Sequence, residues 1–77
     1  MVKNKFNNLE SYPNPASQHL YLNEYLDNII IYDVQGNIVE RSLTKTRIVD
    51  VEKLTTGVYF IKGNTANSTY QTKFIKN

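Results

Sequence analysis

Apolar and polar residues alternate along this chain with a period of two, not with the three-and-four spacing of an amphipathic helix. The alternation is clearest at residues 20–22, 29–32, 48–51, 58–61 and 70–74, and turn residues bound each run. Short strands at intervals of roughly ten residues are typical of a β-sandwich or a barrel. The pattern therefore predicts an all-β fold.

Two hairpins follow from the turn chemistry. Gly36 lies in a polar turn between the runs 29–33 and 38–41, where its freedom to adopt positive φ is needed. The stretch 64–68 predicts a second hairpin, which joins the last two strands. Asp50 is placed to cap a single helical turn over residues 51–53, the one short helix that we expect.

The chain opens on a stiff segment. Pro13 and Pro15 fix their own φ angles and push Tyr12 and Asn14 towards extended geometry, so this segment belongs at the edge of a sheet. We expect Tyr12 to pack over the mouth of the sandwich. Residues 1–11 are interpreted either as the remnant of a linker or as a first edge strand through Phe6 and Leu9.

Residues 54–59 have the spacing of a tyrosine corner, in which a tyrosine hydroxyl bonds back to the main chain a few residues upstream. Tyr59 and Ile61 should then point inward and Val58 and Phe60 outward, with Gly57 allowing a tight approach. This motif favours an immunoglobulin-like sandwich and indicates no activity.

The length and composition limit the chain to one small domain that has no disulfide bonds to stabilise it. It has 77 residues, no cysteine, 40% hydrophobic residues and a net charge of +2. Scattered basic residues argue against nucleic-acid binding, and the longest apolar run, 29–32, is far shorter than the roughly 20 residues of a membrane-spanning helix. We therefore expect neither nucleic acid nor a membrane-spanning segment.

No group of residues indicates catalysis or a cofactor. His19 is the only histidine, no cysteine is present, and Asp33 and Asp50 lack the spacing of a calcium loop. We expect no enzyme activity, no metal and no cofactor. An alternative function is a small carbohydrate-binding or adhesion module of a surface protein, because exposed aromatic rings stack on sugars. The six tyrosines are Tyr12, Tyr21, Tyr25, Tyr32, Tyr59 and Tyr70.

Four blocks, in this order and spacing, resemble the type A C-terminal sorting domain of the type IX secretion system of Bacteroidetes. They are residues 12–15, 31–36, 50–60 and 73–76, and together they make 12–77 the predicted sorting domain. The resemblance departs from the family at Asn37, where lysine is common, and in the short connection from Leu22 to Ile29. The domain signature or translocon-recognition residues that the resemblance implies are Tyr12, Pro13, Asn14, Pro15, Gly36, Leu54, Gly57, Tyr59, Lys73, Phe74 and Lys76.

The resemblance implies a seven-stranded immunoglobulin-like sandwich at the end of a larger cargo protein. Its partners would be the outer-membrane translocon and a sortase-like protease that removes the domain, with scission upstream of Tyr12, within or before residues 1–11. The cargo would cross the periplasm in transit to the cell surface or the medium, and the protease would usually join it to anionic lipopolysaccharide.

An address label should be stiff at its opening and should present a terminal strand with exposed backbone and charge. We expect the last strand, 70–76, to be anchored in the core by Phe74, while Lys73 faces the translocon. Lys76 is assigned either to recognition or to a solvated chain end. Edge-to-edge self-association is left open.

Overall fold

The computed structural model of the protein describes residues 7–77, which form an all-β domain. No helix is present among them, so the prediction of an all-β fold is confirmed. The strands are β1 (Asn7–Asn8), β2 (Ser11–Tyr12), β3 (His19–Asp33), β4 (Ile38–Ser42), β5 (Thr46–Asp50), β6 (Gly57–Asn64) and β7 (Thr69–Lys76). The immunoglobulin-like strand order stays a prediction.

One long strand, β3, belongs to two sheets. Its first part pairs with β2 and β5, and its second part pairs with β4 and β6. Beyond β6 the larger sheet continues through β7 to β1. All these pairings are antiparallel except that of β1 with β7, which is parallel.

The pattern predicted two separate strands where the structure has the continuous 15-residue β3. The register shifts between Tyr21 and Leu26 and again between Asp27 and Ile30, and Asn28 between them has φ 53°. Such irregularities turn side chains to the other face without ending a strand. Leu26 and Ile29, an odd number of residues apart, can therefore both be buried.

A single cluster of buried side chains forms the core and draws its members from both sheets. Its members are Leu9, Ala16, Leu20, Leu22, Leu26, Ile29, Ile31, Val49, Val51, Tyr59, Ile61 and Phe74. Gly63 of β6 gives this core a close contact, because an added Cβ would lie 3.0 Å from the Leu26 Cβ and 3.2 Å from the Asp27 carbonyl oxygen. Gly63 therefore allows β6 to approach β3.

Both predicted hairpins are confirmed. Gly36 adopts φ 89° in the turn between β3 and β4, and the Gly36 N–H donates to the Asp33 carbonyl oxygen at 3.0 Å. The second hairpin is closed by a 2.8 Å bond from the Thr65 N–H to the Ser68 carbonyl oxygen.

The helical turn predicted over residues 51–53 is wrong. Asp50 does accept a hydrogen bond from the Glu52 N–H at 3.0 Å, and the Leu54 N–H donates to the Val51 carbonyl oxygen at 3.1 Å. This last bond spans three residues and closes an isolated turn, because the chain must already reverse there to begin β6 at Gly57.

Candidate recognition surface

The opening and closing segments of the domain lie side by side. The Ala16 N–H donates to the Ile75 carbonyl oxygen, and the Asn77 N–H donates to the Ala16 carbonyl oxygen, both at 2.8 Å. These two bonds form a parallel bridge between Ala16 and Lys76. The Asn14 side chain extends the junction, because its Oδ1 accepts the Ile75 N–H at 3.0 Å. An amide side chain thus takes the place of a strand backbone.

The rest of the opening motif lies on the surface. Tyr12 pairs with Tyr21 in β3, and the two rings stack with centroids 5.7 Å apart. Tyr12 remains half exposed, and Pro13 and Pro15, both preceded by cis peptide bonds, are exposed. Among the described residues β2 pairs only with β3, so the predicted edge position of this segment is confirmed.

The tyrosine corner is present as predicted. The Tyr59 hydroxyl donates to the Thr55 carbonyl oxygen at 2.7 Å and also lies 3.1 Å from the Thr55 Oγ1. The Tyr59 ring is buried and stacks on Phe74 of β7, with ring centroids 5.7 Å apart. Ile61 also points inward and Val58 outward, whereas Phe60 is partly covered by Tyr32.

Gly57 does not make the tight approach that the sequence predicted. A Cβ at this position would meet the Tyr59 Cε2 at 3.9 Å, which is an ordinary van der Waals distance. The corner is closed by the tyrosine hydroxyl and the Thr55 main chain, so close packing at the glycine is not required.

The last strand is anchored as expected. Phe74 is fully buried in the core cluster, and the next residue back, Lys73, is exposed on the opposite face. This alternation fixes which side chains of β7 another protein could reach. The Ile75 side chain is exposed on the same face of β7 as Lys73, whereas the Lys76 side chain is buried on the face of Phe74.

Lys76 is neither an exposed recognition charge nor a solvated chain end. Its side chain is only 7% exposed, and its Nζ donates to the Leu54 carbonyl oxygen at 2.9 Å and to the Asn77 main-chain oxygen at 3.3 Å. The Leu54 carbonyl would otherwise lack a donor in a half-buried turn. Lys76 therefore ties the turn after β5 to the end of β7.

The outer edge of β7 is also less open than we expected. Tyr70 and Gln71 pair with β1, and Ile75 bonds to the opening segment. Since backbone groups alternate in direction along a strand, Lys73 turns its N–H and C=O to the same side as Ile75. The open part of this edge, among the described residues, is the short interval around Lys73.

The structure pairs some of the signature residues with one another, as Tyr59 with Phe74, whereas Tyr12 pairs with Tyr21 of β3. Leu54 packs against the core, and its carbonyl oxygen accepts a hydrogen bond from the Lys76 ammonium group. Gly57 pairs with Lys76 across β6 and β7. Gly36 lies apart from them in its turn and, within the described residues, makes none of the hydrogen bonds that join these segments.

Sequence reasoning missed Ala16, which is fully buried and forms the bridge to β7. The available signal was slight, a single small apolar residue in a polar run directly after Pro15. It also missed the acceptor role of Asn14, which depends on a strand 61 residues away.

Apart from this surface, hydrogen bonds surround the Asp33 carboxylate in the turn between β3 and β4. The Asn37 and Gln35 N–H groups donate to the Asp33 carboxylate at 2.9 and 3.0 Å, and the bond from Asn37 is the main cause that lowers the pKa of Asp33. Among residues 7–77, no three His, Asp or Glu side chains are grouped to hold a metal ion. Within the same range, no helix is long and apolar enough to cross a membrane.

Comparison with known proteins gives one family. The model of a family described as "Secretion system C-terminal sorting domain" matches residues 10–77. Searches of curated proteins and of solved structures returned no significant match. The matched range includes all eleven signature residues.

Proposed function

Because the chain belongs to the family of secretion system C-terminal sorting domains, we propose that it is the folded address label of a larger cargo protein. The type IX outer-membrane translocon reads this label, and a sortase-like protease then removes it. The cargo passes through the periplasm and reaches the cell surface or the medium, where the protease either attaches it to lipopolysaccharide or releases it. In this scheme the domain is a substrate and not a catalyst.

The junction between the opening and closing segments is the observation that supports this proposal most. Asn14 and Ile75 are 61 residues apart and meet only in the folded chain. A partner that contacts both segments therefore distinguishes a folded, complete domain from an unfolded or truncated one.

The signature residues divide into two groups by their exposure. Tyr12, Pro13 and Lys73 are exposed, and so is the neighbouring Ile75, so these side chains are available to the translocon. Tyr59, Phe74 and Lys76 are buried and hold the surface in place. Changes in the first group should weaken recognition, whereas changes in the second should weaken the fold.

The test is export of a fluorescent protein that carries a signal peptide and ends in this chain, in hosts with and without the translocon. Lys73→Glu should reduce the reporter at the cell surface without changing the circular dichroism of the domain. Lys45→Glu makes the same charge change at an exposed residue between β4 and β5, and should leave export as in the wild type. Surface reporter in the host without the translocon, or equal export of both variants, would contradict the proposal.

A second candidate function, sugar binding, is favoured by one observation. Tyr12 and Tyr21 stack on the outer face of the smaller sheet, and both remain accessible. An exposed ring face can stack on a pyranose. Tyrosine fluorescence would change on addition of oligosaccharides, and Tyr12→Ala would abolish the change; no response across a panel of neutral and acidic sugars would eliminate this candidate.

A further inference from the structure

The six residues 7–12, which directly precede the opening prolines, are part of the fold. We call residues 7–12 the strap. At one end Asn7 and Asn8 pair with Tyr70 and Gln71 of β7, and at the other Tyr12 pairs with Tyr21 of β3. The strap therefore crosses from the larger sheet to the smaller one.

The middle of the strap is held as firmly as its ends. Leu9 is 5% exposed and belongs to the core cluster. The Glu10 N–H donates to the Asn23 Oδ1 at 3.0 Å, and the Asn23 N–H donates to the Glu10 carbonyl oxygen at 3.1 Å. Glu10 thus exposes its side chain while both of its main-chain groups are engaged.

Proteases bind an extended segment of several residues and need its main chain free for pairing. A bond within the strap can enter such a site only after Leu9 leaves the core and Glu10 leaves Asn23. We propose that the strap sets where the domain can be separated from its cargo, so that scission falls on the N-terminal side of Asn7. This inference rests on the proposed function, which supplies the cargo and the protease. The sequence analysis expected scission within or before residues 1–11, and the strap excludes the bonds after Asn7 from that range.

The step itself is ordinary peptide-bond cleavage. The acyl carbon on the cargo side passes to the nucleophile of the protease and then to water or to an amine acceptor. The amine released from that bond remains on the domain and takes up the proton.

The protection also depends on the last strand. Among the described residues β1 pairs only with β7, so a domain whose β7 is absent or unpaired loses one end of the strap. The pairing that protects Asn7 and Asn8 is then lost, and the core cluster around Leu9 loses Phe74 of β7. The strap consequently makes resistance to proteases a measure of whether the end of the chain has been made and folded.

A glutamyl endopeptidase tests this with the whole chain, because Glu10 supplies a cleavage point inside the strap. Cleavage after Glu10, followed by mass spectrometry, should be on the order of a hundredfold slower in the folded protein than in a peptide of residues 5–16. Equal rates would overturn the proposal.

Variants identify the contact responsible. Asn23→Ala, which removes the acceptor of the Glu10 N–H, should speed this cleavage about fivefold, as expected for one hydrogen bond. Asn23→Asp keeps an acceptor and should stay close to the wild-type rate. Asn67→Ala, at the exposed tip of the second hairpin, is the matched control. If Asn23→Ala unfolds the chain, Asn23→Asp still tests the proposal. Should the folded Asn23→Asp protein be cleaved after Glu10 as fast as the free peptide, the proposal would be overturned.

Mapping the N-terminus of the released domain in a secreting host completes the test. An N-terminus at or before Asn7 is expected, and one at residues 8–12 would overturn the proposal. If the host exports nothing while the slow cleavage after Glu10 persists in the purified protein, the proposed function fails and the protection by the strap stands.

Discussion

The ammonium group of Lys76 donates a 2.9 Å hydrogen bond to the carbonyl oxygen of Leu54, from a side chain that is almost entirely buried. A charge in such a place is stable only if it is well partnered. The strand that closes the domain is therefore fastened to a turn 22 residues earlier in the sequence.

Lys76→Met keeps the length of this side chain and removes the donor. It leaves the Leu54 carbonyl without its partner, so we expect the free energy of unfolding to fall by about 2 kcal/mol. Urea denaturation monitored by circular dichroism measures the change. Lys73→Met is the matched control, because Lys73 is exposed on the same strand and should change stability by less than about 0.5 kcal/mol. Equal effects of the two variants would show that the Leu54 contact stabilises nothing.

Tyr59→Phe removes the hydroxyl that closes the tyrosine corner and keeps the ring against Phe74. The Thr55 carbonyl oxygen loses its 2.7 Å donor, so the free energy of unfolding should fall by about 1 kcal/mol. Thermal unfolding of this variant beside Tyr25→Phe, whose ring is largely exposed, isolates the contribution of the corner. A melting temperature that drops no further than that of Tyr25→Phe would refute this account.

Asp33 should make stability depend on pH. Its pKa is lowered from the ordinary 3.8 in the folded chain, chiefly by the Asn37 N–H. Because the folded value lies below the unfolded one, the stabilisation is complete above about pH 5 and is lost as pH falls through the folded pKa. An NMR titration of the Asp33 carboxyl should therefore have its midpoint below 3.8.

A variant of Asp33 tests the same contribution. Asp33→Asn should lower stability at pH 7 and have no such effect near pH 2, as measured by urea denaturation at the two pH values. A carboxyl midpoint above 3.8 would contradict the assigned hydrogen bonds.

Edge-to-edge self-association stays a prediction, and the charged residues of β4 indicate how it is limited at that edge. Among the described residues β4 pairs only with β3, which leaves its other edge without a strand. A symmetric antiparallel pairing of two copies sets one residue opposite its own copy, and the central candidates are Glu40 and Arg41. Both choices oppose like charges, so we expect a monomer.

Arg41→Val removes this repulsion in the register that places Val39 opposite Leu43, two exposed apolar residues. Sedimentation velocity should then detect a dimer. Lys45→Val, which adds the same side chain outside β4, should remain monomeric. A wild-type dimer, or an Arg41→Val variant that stays monomeric, would contradict the argument.

The sequence predicted best those features whose causes are local. Gly36 and the Tyr59 corner depend on residues within a few positions, and both were found. The continuity of β3 was not, because irregular register around Asn28 lets a polar stretch remain extended. The burial of Lys76, the bridge at Ala16 and the close packing at Gly63 depend on partners far away in the sequence, and a pattern of alternating residues carries no record of them.

The parallel pairing of β1 with β7 has a mechanical consequence for a domain attached to a cargo at its N-terminal side. A force that pulls the start of β1 away from the end of β7 loads this parallel pair in shear. The hydrogen bonds between the two strands then resist the force together instead of breaking one by one. Single-molecule pulling between these two points should give one abrupt rupture, whereas gradual lengthening would show that the strands peel apart. The β1–β7 pairing, which shields the strap from proteases, would then also let the domain stay folded while force is applied to it through the attached cargo protein.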